Sequence, residues 1–360
     1  MAQLNVILGQ YLSKKHNVQI VSFTRQYPSL LFPGKSQIDP GNPLFNIPTV
    51  SLIDSINPIS WYRAARYITN QNPDIIIFRY WMPFFAPCFG FIARRVKHTT
   101  NVQVIFICDN IIPHEKRPGD KALTKYAFGP VDAFMVLSKT VEEDLHRFLP
   151  QARHVLSPLP LFNVFGELQP KREARIKLGI SCDHVLLFFG YVRAYKGLNV
   201  LLDAMPLILK KMSVVLLIAG EFYEDEEKYR KIIRQLGLDK HIQLHSDYIP
   251  NEEISTYFSA ADVVVLPYVS ATQSAIVPVA FHFNKPVIVT DVGGLTEVIT
   301  NERTGFIVPP ENPEAFADAV VKYYHEGREN EFALNIQKEK KQYEWSPFVE
   351  RLESLFKQNN

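Results

Sequence analysis

The chain is poor in the residues that build cross-links and metal clusters. Its 360 residues include three cysteines, Cys88, Cys108 and Cys182, widely spaced and odd in number. No disulfide framework and no CxxC ligand pair can be assembled from them, and a reducing, cytoplasmic setting fits best. No Asp-x-Asp pair occurs, so no dedicated site for a metal bridging a diphosphate is expected, and no cofactor is implied. HExxH and GxSxG are absent, which removes the common zinc-protease and serine-hydrolase readings. GxGxxG is absent too, leaving a dinucleotide-dependent dehydrogenase without support. Pro33-Gly34-Lys35-Ser36 imitates the end of a phosphate loop, but Ser29 stands where the first glycine belongs, with no strand before and no helix after. No uninterrupted apolar run is long enough to cross a membrane: residues 75–93 come nearest, and Arg79, Pro83 and Pro87 interrupt them. The first residues carry no basic segment, so no secretory signal is expected.

What is present is ordinary for a globular chain, with 47% hydrophobic and 21% charged residues, and the length suits two domains. Charge is unevenly spread. Residues 1–160 hold 17 Lys and Arg against 10 Asp and Glu; the remainder hold 22 against 27. A basic half meets phosphates, anionic lipid or nucleic acid, unless both halves are simply solvated. No nucleic-acid reading module is recognisable, so nucleic acid is not an expected partner.

Apolar runs of strand length alternate with amphipathic stretches of helix length. Strands are expected at 18–23, 74–78, 102–107, 133–137 and 154–156, then at 185–189, 214–219, 242–245, 263–266 and 287–290. Runs buried on both faces and separated by helices imply parallel sheets, and two sets imply an α/β protein of two doubly wound, Rossmann-like domains. The linker Ser157-Pro158-Leu159-Pro160 sets the bounds: an N-terminal domain 1–157, a C-terminal domain 158–330, and terminal helices 331–360 packing back toward the first. Residues 24–48, with five prolines, read as a long irregular loop. A helix over 84–96 ends in Phe91-Ile92-Ala93-Arg94-Arg95-Val96-Lys97, which suits either a membrane surface or the helix dipole. Residues 2–14 read as a helix with no strand before it. The central strand that would pair 18–23 with 74–78 is then not seen in the first sheet, and either the start at Met1 is downstream of the real one or something else fills the gap.

Candidate site residues gather at strand C-termini. Gly190-Tyr191-Val192-Arg193-Ala194-Tyr195-Lys196-Gly197 joins a buried strand to a helix: a glycine for close approach, one forked and one point cation, and free amides at a helix start. That set suits a diphosphate. Glu221 ends the next strand. Tyr248 and Ile249 follow another, where Tyr248 reads equally well as a core cap. Thr272, Gln273, Ser274, Ala275 and Ile276 run into a buried helix, capping it or offering hydroxyls and amides to a second anion. In the first half Asp109, Asn110 and His114 share one loop after a strand, and His114 is a candidate for chemistry.

In order and spacing these segments resemble the family-4 retaining glycosyltransferases. The likeness rests on the G-x-x-R-x-x-K-G loop at 190–197, the Lys285-Pro286 strand, the turn from Asp291 to Glu297 and the run from Asn110 to Glu115. It covers nearly the whole chain and is strongest from 188 to 310. The resemblance implies a GT-B fold, two Rossmann-like domains facing a cleft, with a nucleoside diphosphate sugar as donor and a glycan or lipid-linked acceptor. It further implies that Arg193 and Lys196 hold the diphosphate, that Tyr248 and Ile249 meet the base, and that the reaction retains configuration without a metal. Members usually carry two glutamates with seven residues between them, where this chain has Ala271 and Val279, and many carry a histidine where it has Asp109. These departures, with the absent strand, admit a second reading: a GT-B scaffold that binds sugar nucleotide or glycan without transfer.

Overall fold

The computed structural model describes residues 2–28, 45–113 and 117–356. It divides into two compact units, Met1–Leu159 with Trp345–Asn360, and Pro160–Glu344. Most of the proline-rich stretch 24–48, including the Pro33–Ser36 motif, lies outside the described residues.

The first unit runs α1 (Ala2–Leu12), β1 (Ile20–Arg25), β2 (Thr49–Asp54), α2 (Pro58–Gln71), β3 (Ile75–Tyr80), α3 (Ala86–Thr99), β4 (Gln103–Cys108), α4 (Asp120–Phe128), β5 (Ala133–Val136), α5 (Lys139–Phe148) and β6 (His154–Leu156). Its strands are parallel and form two sheets, β1–β2 and β3-β4-β5-β6. No ladder joins β1 to β3, the place where a doubly wound sheet would hold a further strand. The consequence shows in burial. Every residue of β4 is buried, whereas Ile75, Ile76 and Ile77 at the edge of the second sheet are half-exposed.

Local sequence explains the helix starts. Asn57 accepts from the Ile59 amide and Pro58 occupies the first turn of α2, while Ser138 accepts from the Val141 amide to begin α5. The core beneath is aromatic, with Phe106 against Phe78, Phe89, Phe128 and Phe134 at centroid separations of 5.2–6.4 Å.

The second unit adds α6 (Lys171–Lys177), β7 (Val185–Phe189), α7 (Leu198–Leu209), β8 (Val215–Ala219), α8 (Glu226–Gln235), β9 (Ile242–His245), α9 (Asn251–Ala260), β10 (Val263–Leu266), α10 (Ile276–His282), β11 (Val287–Thr290), β12 (Gly305–Val308), α11 (Pro313–His325) and α12 (Glu329–Glu339). Six parallel strands lie in the order β12-β11-β10-β7-β8-β9. The last helix, α13 (Trp345–Glu353), belongs to the first unit, where Trp345 stacks on Tyr11 at 5.5 Å and Glu353 pairs with Lys15 at 2.8 Å.

Two strands escaped the sequence pattern. β2 follows a proline-rich stretch and exposes alternate residues, so it lacks the all-apolar run of its neighbours. β12 is four residues long and opens on Gly305. β3 runs two residues past the expected end, taking Arg79 into the sheet because Asp109 is there to pair with it.

Candidate functional site

The second sheet reverses its strand order between β7 and β10, a topological switch point where ligands bind in open α/β sheets. The loops leaving these two strands are the cationic Gly190–Gly197 loop and the polar run ending at Ser274. The Val269 amide donates to the Tyr195 carbonyl at 2.8 Å and ties them together. On the other side the Val192 amide donates to the Glu221 carbonyl at 2.9 Å, drawing in the loop after β8. Gly197 adopts φ +66°, and a Cβ there would lie 1.9 Å from the Pro267 carbonyl oxygen, so only glycine lets the two loops close to this distance. Gly190 adopts φ +96° and leaves room for the Lys196 ammonium, 3.2 Å from where its Cβ would stand.

Lys196 is 8% exposed and belongs to a short 3₁₀ turn, Ala194–Lys196. Its Nζ lies 5.7 Å from the centroid of the buried Tyr268 ring. Among the described residues no ion pair involves Lys196 or Arg193. Burial, and secondly the Arg193 guanidinium, push the Lys196 ammonium down to about 7. Arg193 is half-buried, with its guanidinium 4.9 Å over the Tyr223 ring, and Tyr223 stacks on the exposed Tyr191 at 4.4 Å. A buried cation with no carboxylate partner is costly for the folded chain and is electrostatically ready for an anion. The loop holding it is clamped from behind: Glu224 accepts from the Ala194 amide and from the Tyr229 hydroxyl.

Across the switch point the Tyr268 hydroxyl hydrogen-bonds Ser274 Oγ at 3.2 Å, and Ser274 Oγ accepts from the Ile276 amide at 3.2 Å. Thr272 is buried, Gln273 and Ile276 are half-buried, and Ala275 is exposed. Ala271 and Val279, which stand where the resembled family has glutamates, are both buried apolar side chains. Tyr248 and Ile249 are half-buried on the loop after β9, two strands from β7 on the same sheet edge. Glu221 is buried on the loop after β8.

In the first unit Asp109 is 3% exposed, and both its oxygens accept from Arg79: Nε at 2.7 Å and Nη2 at 2.8 Å. Asn110 is half-buried beside it, and His114 lies outside the described residues. Burial drives the Cys108 and Cys88 thiols upward, so both are inert small apolar groups.

Lys285, prominent in the sequence motif, stands at the opposite edge of its sheet. It donates to the Ala261 carbonyl at 2.7 Å, and burial pushes it down to about 8. Neighbouring Asp262 accepts from Lys171, Arg175 and the Val185 amide, so this end is structural. A polar groove lined by Asn72, Asp74, Lys97, His98 and Thr99 also lies at strand starts, in the first unit. Lys97 is committed there to Asp132 at 2.7 Å.

Sequence reasoning missed Tyr223, Glu224, Tyr268 and Arg79. The only visible signal was the solitary arginine in the apolar run 75–80.

Comparison with known proteins places these features. Residues 183–326 match the family model "Glycosyl transferases group 1". An uncharacterized glycosyltransferase of Methanocaldococcus jannaschii is 28% identical over 204 residues, 54% of this chain and 50% of that protein. The alignments span about half the length of most of the first curated relatives. A glycosyltransferase from Rickettsia africae superposes over 99% of this chain and 95% of its own with a TM-score of 0.77 at 18% identity. Anabaena HepE, solved with UDP and glucose, covers 98% and 96% with a TM-score of 0.76 at 14% identity. The fold is thus the GT-B type, two Rossmann-like units, and the chain is related to the glycosyltransferases built on it.

Proposed function

We propose that the protein is a retaining glycosyltransferase that moves a hexosyl unit from a nucleoside diphosphate sugar to a hydroxyl of a glycan or lipid-linked acceptor. The observation that carries this reading is the pair Arg193 and Lys196. They are two cations without carboxylate partners among the described residues, one of them buried, on the loop at the switch point. The family match over residues 183–326 supports the same assignment. The UDP bound by the Anabaena protein makes UDP the first nucleotide to test.

In this reading Arg193 forks across the diphosphate and Lys196 supplies a point charge, with the Gly190 and Tyr191 backbone close by. Thr272, Gln273, Ser274 and the amides of Ala275 and Ile276 contact sugar and phosphate. Glu221 borders the sugar, and Tyr248 and Ile249 take the base. Asp109, Asn110 and His114 keep the sugar-side role that the family resemblance implies. As the glycosyl–oxygen bond breaks, negative charge grows on the leaving diphosphate, and fixed cations lower that barrier. The acceptor oxygen bonds to the anomeric carbon on the departing face, its proton passes to the leaving phosphate oxygen, and configuration is retained without a dedicated base.

Arg193→Ala and Lys196→Ala should each lower transfer by roughly 10- to 1000-fold, the range for a lost charge-stabilising donor. Sugar transfer measured with folded variants checks this; full activity in both would overturn the site. The non-catalytic reading is favoured by Ala271 and Val279, which bring no carboxylate to the polar loop. Tight nucleotide binding with neither hydrolysis nor transfer would establish it.

A further inference from the structure

The basic excess of the first half is concentrated in three helices. α2, α3 and α4 pack side by side and contain seven Lys and Arg against one acid, Asp120. That is a net +6 of the +7 carried by residues 1–160. The segment expected to meet a surface, the end of α3, is largely committed. Phe91 is half-buried, Arg94 donates to the Gly90 and Tyr126 carbonyls, and Lys97 is in its ion pair.

The exposed side chains lie instead on α2. Ile59, Tyr62, Arg63 and Arg66 recur at helical spacing on one face, opposite the buried Ala64, Ala65 and Ile68. Ile56 precedes them. Ile56, Ile59 and Tyr62 are 47%, 64% and 46% exposed, a cluster of three among the few large apolar side chains left in solvent. Arg95 of α3 lies over the Tyr62 ring at 5.4 Å, and Arg94 over the exposed Tyr126 of α4 at 3.9 Å. Among the described residues no ion pair involves Arg63, Arg66 or Arg95.

We propose that this face docks on an anionic lipid bilayer: Ile56, Ile59 and Tyr62 enter the headgroup boundary while Arg63, Arg66 and Arg95 meet lipid phosphates. Apolar tips flanked by cations without counter-ions, on a surface almost free of acids, are what an anionic interface recognises. No helix among the described residues is long and apolar enough to span a membrane, so this contact is peripheral. It involves none of the residues assigned to the donor and is independent of that assignment.

The test is co-sedimentation of the full chain with phosphatidylcholine vesicles, with and without 30% phosphatidylglycerol. Binding is expected only to the anionic vesicles and should weaken as salt is raised. Arg63→Glu/Arg66→Glu should reduce it at least tenfold, as should Ile59→Ser/Tyr62→Ser. The control Lys210→Glu/Lys240→Glu, the same charge change at exposed sites of the second unit, should leave it unaltered. UDP binding measured on the same preparations should be unchanged in all variants. Equal loss in the control, undiminished binding by both α2 variants, or equal binding to uncharged vesicles would overturn the proposal. So would a chain that ignores vesicles but self-associates in light scattering until Ile59→Ser/Tyr62→Ser is introduced; the face would then join two copies.

Discussion

Lys196 holds its ammonium where water is nearly excluded and no carboxylate among the described residues pairs with it. The sign of its effect on stability follows. Its folded value is pushed down to about 7 by burial and then by Arg193, whereas an unfolded lysine holds its proton to about 10.4. Between those values the unfolded chain binds more protons, so this group makes the ligand-free protein more stable as pH rises from about 7 toward 10. Below 7 the full penalty of a buried charge applies. Lys196→Met removes both. Its melting midpoint near neutral pH should be no lower than that of the parent, and the gap between the two should narrow as pH rises to about 10. Thermal scans without ligand check this; a large loss of stability in the variant would mean that the lysine holds the fold rather than waiting for an anion. At this scale the sequence was legible where spacing carries chemistry, as in the glycine, arginine and lysine of the 190–197 loop. It was silent where a side chain arrives from another strand. Tyr268 faces Lys196 only because β10 lies beside β7, and that adjacency is a property of the strand order.

The neighbours β3 and β4 show how elements fix one another. They pair in register from Ile75↔Gln103 to Tyr80↔Cys108, and at the end of this ladder Arg79 and Asp109 form a bidentate bridge with both side chains 4% exposed. Removing one partner strands the other charge in the core, so Asp109→Asn and Arg79→Met should each cost about 3–5 kcal/mol. The double change Arg79→Met/Asp109→Leu should recover much of that, because apolar groups of similar volume suit a buried site. Urea denaturation of the three variants decides it. If Asp109 also touches sugar, transfer stays low in the double variant after stability returns; if the bridge is its whole role, transfer returns as well. The strands themselves were readable because parallel strands buried on both faces are continuous apolar runs. β2 and β12 were missed because one is half-exposed and the other is four residues long and begins with glycine. Asp109 was picked out from its place in a strand-end loop. That it is spoken for by Arg79 needed the pairing of the strands.

Over the whole molecule the chemistry divides as the charge does. The second unit carries the net negative charge yet concentrates at its switch point two cations, Arg193 and Lys196, that have no carboxylate partner among the described residues. The first unit carries the positive excess, nearly all of it on one layer of helices. The two Rossmann-like units were legible from the alternation of runs. The strands of the first unit divide into two parallel sheets, β1–β2 and β3-β4-β5-β6. The face of α2 was not foreseen, since Ile59 and Tyr62 look like core residues until Ala64, Ala65 and Ile68 are seen to take the buried side. The assignment that ties sequence, fold and function together is the anion site at Lys196, and calorimetry reads it directly. UDP is titrated at pH 7.5 in two buffers of different ionisation enthalpy, into the parent chain and into Lys196→Met. A diphosphate beside the buried ammonium raises its pKa, so binding to the parent should take up a large fraction of one proton, and binding to Lys196→Met should be weaker and take up none. Equal affinity and equal proton uptake in the two proteins would contradict the site.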